Sequence, residues 1–174
     1  MNPGKAGFFA VMLIAFSFVS ASSASAQIVA LGASNTQGKG VSPAEAWPAR
    51  LESMLQAKGR KLHVVNAGIS GDTTGGMLAR LDSSVPAGTT LVILNFGGND
   101  FSRGKRGSGM ITPEARQANI ARIIGELHSR HIRTVVADGT INSARAAGMV
   151  QVDHIHLTAA GHQRVASQLI GAIR

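Results

Sequence analysis

Apolar residues in this chain fall into short runs, and between the runs they recur every three or four positions. The runs at 27–31, 62–65, 91–96 and 132–137 have strand length. The run at 91–96 is apolar almost throughout, as expected of a central strand covered on both faces. Helical spacing follows each run. Ser42-Pro43 predicts a helix start, with Ala44, Trp47, Leu51, Met54 and Leu55 inward and Lys58-Gly59 as its end. A shorter helix from Thr73 or Thr74 turns Met77, Leu78 and Leu81 inward. Thr112-Pro113-Glu114 opens a long helix with Ile120, Ile123, Ile124 and Leu127 on its core face. Thr158 caps a last helix that buries Val165, Leu169 and Ile173. Alternating strands and helices predict an α/β fold, a parallel sheet with helices on both faces. No internal repeat or linker divides it.

One apolar stretch stands outside this pattern. Lys5 precedes an apolar run at 8–19, and a small, polar stretch then ends in Ala24-Ser25-Ala26. That is the layout of an export signal, which places the mature start at Gln27. Its apolar run is about a dozen residues, against roughly 20 for a spanning helix. No later segment has the length and apolarity to insert stably in a membrane. The expected organisation is a signal peptide at 1–26 and one domain at 27–174, periplasmic or secreted from a bacterium.

Composition narrows the chemistry. The chain has no cysteine, which removes disulfides and thiolate metal sites. Its net charge is +8, but the basic residues are dispersed. Only Arg103, Lys105 and Arg106 cluster, in a glycine-rich loop at 104–109. Aromatic residues are 4% of the chain, too few for the stacking platforms of nucleic-acid binders. Attraction to anionic envelope surfaces accounts for the excess charge.

The polar candidates lie where strands end. Gly32-Ala33-Ser34 follows the first strand, and a serine there can act as a nucleophile or cap a helix. A phosphate loop does not fit, because five residues separate Gly32 from Gly38 and Gly40 follows Lys39. Nor is there a G-x-S-x-G elbow, since Thr36 holds the second glycine position. Asp153 and His156 lie three apart on a loop before the last helix, close enough for the carboxylate to reach Nδ1 from a turn. His154 and His162 compete as the base. An extended backbone would point His154 away, and His162 reads as a surface residue of the last helix. His154 and His156 find no third metal ligand. Asn66-Ala67-Gly68-Ile69-Ser70-Gly71-Asp72-Thr73 and Gly97-Gly98-Asn99-Asp100 read as glycine-rich turns after strands. There Gly71 can offer a backbone N–H, and Asn99 an amide, to a developing oxyanion. Ligands of parallel sheets bind at the carboxyl ends of the strands, so all four loops converge on one edge.

These four motifs, in this order, resemble the SGNH hydrolases, also called the GDSL lipase/esterase family. The likeness runs through the whole of 27–174. Asn-Ala-Gly-Ile-Ser-Gly-Asp-Thr at 66–73, Gly-Gly-Asn-Asp at 97–100 and Asp153-x-x-His156 carry it. The resemblance implies Ser34 as nucleophile, His156 as base and Asp153 as its orienting partner. It implies an oxyanion hole of the Ser34 and Gly71 backbone N–H groups and the Asn99 side chain. It further implies a flavodoxin-like three-layer α/β/α sandwich, no metal or organic cofactor, and a small-molecule ester or thioester as substrate. Two departures stand out. Ala33 replaces the family's usual aspartate, and the stretch 137–153 is shorter than in members that add a strand and helix there. The expected result is a sheet reduced at one edge and a more open acyl site. Two other readings stay open from sequence: a deacetylase of envelope polysaccharide, and a catalytically weak ligand-binding relative.

Overall fold

The computed structural model describes residues 27–102 and 110–173. The expected signal peptide and the loop of Arg103, Lys105 and Arg106 lie outside the described residues. Four strands form one parallel sheet: β1 (Gln27–Gly32), β2 (His63–Gly68), β3 (Thr89–Asn95) and β4 (Arg133–Val136). Their order across the sheet is β2-β1-β3-β4. The flanking helices are α1 (Ser34–Gln37), α2 (Trp47–Ala57), α3 (Thr74–Ala79), α4 (Leu81–Ser84), α5 (Pro113–Ser129), α6 (Asp138–Ala146) and α7 (Ala159–Leu169). Among the described residues, no helix is long and apolar enough to cross a membrane.

Successive strand residues point to opposite faces, and that alternation builds two cores. Ile28 and Ala30 of β1 and Leu91 and Ile93 of β3 share one with Trp47, Leu51 and Leu55 of α2 and with Ile141, Val165 and Leu169 of α6 and α7. Val29, Leu31, Val92 and Leu94 share the other with Met77, Leu81, Ile123 and Leu127 of α3, α4 and α5. Both central strands are therefore apolar on both faces, which explains their unbroken runs. The result is a three-layer α/β/α sandwich. Among the described residues, its strand order is that of a flavodoxin-like sheet without the fifth strand.

Some boundaries differ from expectation. Pro43–Glu45 forms a separate 3₁₀ turn, closed by a capping box in which Ser42 and Glu45 bond reciprocally, and α2 begins at Trp47. Ala44 is consequently exposed, and Ala46 is buried in its place. Thr73 caps α3, but the predicted single helix through Leu81 is broken at Arg80. β2 continues through Gly68, so Asn66, Ala67 and Gly68 belong to the strand, and the turn starts after them. The short stretch after β4, to which the sequence reading assigns no helix, folds into α6.

The chain leaves β1 toward β2 on one side and returns to β3 on the other. The crevice at the carboxyl ends of β1 and β3 is thus a topological switch point, where ligands of such sheets bind.

Candidate active site

β1 ends at Gly32 in a close approach that only glycine permits. A Cβ there would lie 2.2 Å from Thr36 Oγ1 and 2.9 Å from the Asn95 carbonyl. The chain turns at once into α1, whose first residue is Ser34. Ala33 is buried and belongs to the apolar cluster that includes Leu31, Met77 and Phe96.

His156 arrives from the far end of the sequence. A bridge between Val150 and Leu157 closes a short loop, and the Gln151 N–H donates to the His156 carbonyl at 2.7 Å. Within the loop, Asp153 Oδ1 accepts from the Ile155 and His156 N–H groups, each at 3.0 Å. Its Oδ2 lies 2.5 Å from His156 Nδ1. The His156 backbone N–H, then the His156 ring, then the Ile155 N–H hold the Asp153 carboxyl well below the usual carboxylate range. With Nδ1 donating to this carboxylate, Nε2 is left to accept, and it lies 3.0 Å from Ser34 Oγ. The three groups form a continuous hydrogen-bonded chain, in which the carboxylate orients the ring and the ring faces the hydroxyl.

The competing histidines go elsewhere. His154 has a left-handed backbone (φ 56°) rather than the extended one expected, and it is exposed. His162 contradicts the surface reading: it is fully buried on α7, where its Nδ1 accepts the Trp47 N–H at 3.2 Å. Burial in apolar surroundings pushes its pKa down to about 4. The 3.6-residue period would have found it, since Val165 and Leu169 lie three and seven positions on.

Two further loops complete the cavity. After β2, the Gln37 side chain accepts the Ser70 N–H at 3.0 Å, and the chain reverses at Gly71 with φ 79°, a conformation that favours glycine. After β3, Asn99 opens a 3₁₀ turn and donates one amide hydrogen to the Asp72 carbonyl at 2.8 Å. Among the described residues, its other amide hydrogen is uncommitted. Beneath it, buried Asp100 accepts from the Thr74 N–H at 3.0 Å and the Thr74 hydroxyl at 2.8 Å, and pairs with Arg116 at 3.4 Å. Ser34, His156, Gly71 and Asn99 all line one cavity of about 750 Å³.

Several residues at this site escaped the sequence reading. Arg80 ties two strand ends together, donating to the Gly32 carbonyl at 3.2 Å and the Ala67 carbonyl at 2.9 Å, and pairs with Asp72 at 2.8 Å. Asp138 accepts from Asn95 Nδ2 at 2.6 Å and from the Phe96 N–H at 2.9 Å, fixing the end of β3. On the side after β4, α6 contributes Ile141, Asn142 and Arg145 to the cavity lining.

The model of the GDSL-like Lipase/Acylhydrolase family matches residues 30–152. The chain belongs to that family. The matched stretch ends one residue before Asp153, so the Asp153–His156 contact is an independent observation of the structure. An arylesterase of Vibrio mimicus is 33% identical over 114 residues, which are 65% of this chain and 54% of that protein. Esterase TesA of Pseudomonas aeruginosa is 37% identical over 98 residues, 54% of this chain and 44% of that protein. The chain thus spans about half the length of these relatives. A crystal structure of TesA superposes with a TM-score of 0.74 at 23% identity, covering 85% of this chain and 98% of that one, which is a likeness of fold.

Proposed function

We propose that this chain is a serine ester hydrolase acting through an acyl-enzyme on small or medium acyl esters or thioesters. The observation that carries the reading is the hydrogen-bonded series Asp153–His156–Ser34 opening into a cavity shared with Gly71 and Asn99. Family membership and relatives named as esterases support it.

In the first half-reaction the Ser34 hydroxyl proton passes to His156 Nε2 as Oγ bonds to the ester carbonyl carbon. The carbonyl oxygen takes the negative charge. The Ser34 and Gly71 backbone N–H groups and the second Asn99 amide hydrogen receive it. Each such donor is worth about 2.7–4 kcal/mol in the transition state. The carbon–leaving-group bond then breaks, and His156 returns its proton to the departing alcohol oxygen or thiol sulfur. Water repeats the sequence on the acyl-enzyme, releasing the acid and restoring Ser34. Asp153 stays ionised throughout, holding the ring tautomer and offsetting the imidazolium charge.

Export supplies the setting: the signal at 1–26 is removed after Ala26, and the enzyme works in the periplasm or outside the cell. Incubating purified protein with diethyl p-nitrophenyl phosphate tests the chemistry. One diethylphosphoryl group should appear on the peptide containing Ser34, with activity lost in proportion. Labelling elsewhere, or none, contradicts the assignment.

A further inference from the structure

The wall that α6 gives the cavity carries charge that the proposed reaction does not use. Arg145, in the last turn of α6, is exposed and lines the cavity. Lys39, just beyond α1, is also exposed and lines it. Among the described residues, neither is paired with a carboxylate. The one acidic side chain in the same lining is Asp138, whose Oδ1 already serves Asn95 and the Phe96 N–H. Two cations therefore line the cavity against one carboxylate, Asp138, and neither is ion-paired with it among the described residues.

Their attachment fixes which part of a substrate they would meet. The Lys39 carbonyl accepts from Gln151 Nε2 at 2.9 Å, and Gln151 in turn donates its N–H to the His156 carbonyl. The Arg145 carbonyl accepts the Gly148 N–H at 2.9 Å, at the head of the same loop. Both cations thus belong to chain that abuts the His156 loop, whereas Gly71 and Asn99 follow β2 and β3. His156 must reach the departing oxygen to protonate it, so the alcohol portion of an ester lies on the His156 side.

We propose that Lys39 and Arg145 form a subsite for an anionic group, a carboxylate or a phosphate, on the alcohol portion of the ester. The subsite rests on the serine-esterase reading above. Arginine offers a planar fork that matches either oxyanion, and lysine adds a mobile point charge. The short connection after β4 makes the subsite possible. Among the described residues no fifth strand follows β4, so α6 starts directly at the sheet edge and Arg145 of its last turn lines the cavity.

The test compares kcat/KM for 4-acetoxybenzoate and 4-acetoxyphenyl phosphate with that for neutral methyl 4-acetoxybenzoate. It uses wild type, Lys39→Gln, Arg145→Gln, the double variant and Arg164→Gln. Arg164 is exposed on α7 outside the cavity lining, so its variant removes equal charge at a distance. The anionic-to-neutral ratio should fall about fivefold in each single variant and tenfold or more in the double, as expected for exposed charge pairs. It should hold in Arg164→Gln, and the neutral ester should stay within about twofold in all. The anionic ester with the larger loss names the preferred group. A ratio unmoved in the double variant, or lowered equally by Arg164→Gln, overturns the subsite. A loss confined to an acyl-side anion, p-nitrophenyl hemiglutarate, overturns its placement. If the neutral ester is not hydrolysed, or is hydrolysed equally by Ser34→Ala, the esterase reading itself has failed. Ser34-dependent neutral hydrolysis with a static ratio rejects the subsite alone.

Discussion

Asn35 grips the backbone on both sides of His156. Its Oδ1 accepts the Leu157 N–H at 3.0 Å, and its Nδ2 donates to the Ile155 carbonyl at 3.3 Å. The residue beside the proposed nucleophile thereby sets the position of the proposed base, 122 residues away from Ser34 in sequence. Misplacement of a reacting group by about 1 Å can cost about a hundredfold in rate. Asn35→Ala should therefore lower kcat about tenfold to a hundredfold and leave KM within about twofold. Asn35→Asp, which keeps the acceptor alone, should fall between. Steady-state kinetics on a p-nitrophenyl ester decide it, and an unchanged kcat in Asn35→Ala refutes the clamp.

Arg80 should matter through stability. Its guanidinium holds the carbonyls at the ends of β1 and β2 and pairs with Asp72, whose side chain is 4% exposed. Removing one partner of a buried pair leaves the other charge uncompensated, at a cost of about 3–5 kcal/mol. Arg80→Met should lower the urea midpoint accordingly. A loss under about 1 kcal/mol would mean that water reaches Asp72 freely.

Buried His162 makes stability depend on pH. Its folded pKa is about 4, below the ordinary 6.5. The unfolded chain thus takes up the proton first, and its stabilising effect, complete above pH 6.5, is lost as pH falls toward about 4. The shift corresponds to a loss on the order of 3 kcal/mol. His162→Gln, which can still accept the Trp47 N–H, should flatten that part of the profile. Urea midpoints at pH 7 and pH 4.5 for both proteins measure it. An equal acid loss in the two would assign the effect to other groups.

Acyl preference follows from the cavity wall. Among the described residues its apolar side chains are Ala33, Ile141 and Ile155, too few to cover a long chain. Full burial is worth about 0.8 kcal/mol per methylene, or more than tenfold for two carbons. Across p-nitrophenyl esters from acetate to palmitate, kcat/KM should rise by less than about threefold per two carbons. A tenfold rise per step would require an apolar channel.

Much of this was legible in the sequence, and the failures have physical causes. β1 and β3 are covered on both faces, so their apolar runs announce them. The three-residue spacing made the Asp153–His156 contact readable, while the roles of the pair came from the family resemblance and not from the spacing. α6 was hidden because Asp138-Gly139-Thr140 resembles a turn, and Ile141 and Ala144 are its only buried residues. His162 was misread because polarity outweighed period; one bond to the Trp47 N–H is what lets it lie inside. Asn35 and Arg80 bond partners far away in sequence, which no local pattern reveals.

The central claim is that Ser34 attacks the ester with His156 as its base. The most direct measurement is kcat/KM for p-nitrophenyl acetate in wild type, Ser34→Ala, His156→Ala and the double variant, each shown to be folded by circular dichroism. Groups that act as one unit lose their effect together, so each single variant should fall by about a thousandfold or more and the double should match them. Activity of Ser34→Ala within a few-fold of wild type would contradict the mechanism outright.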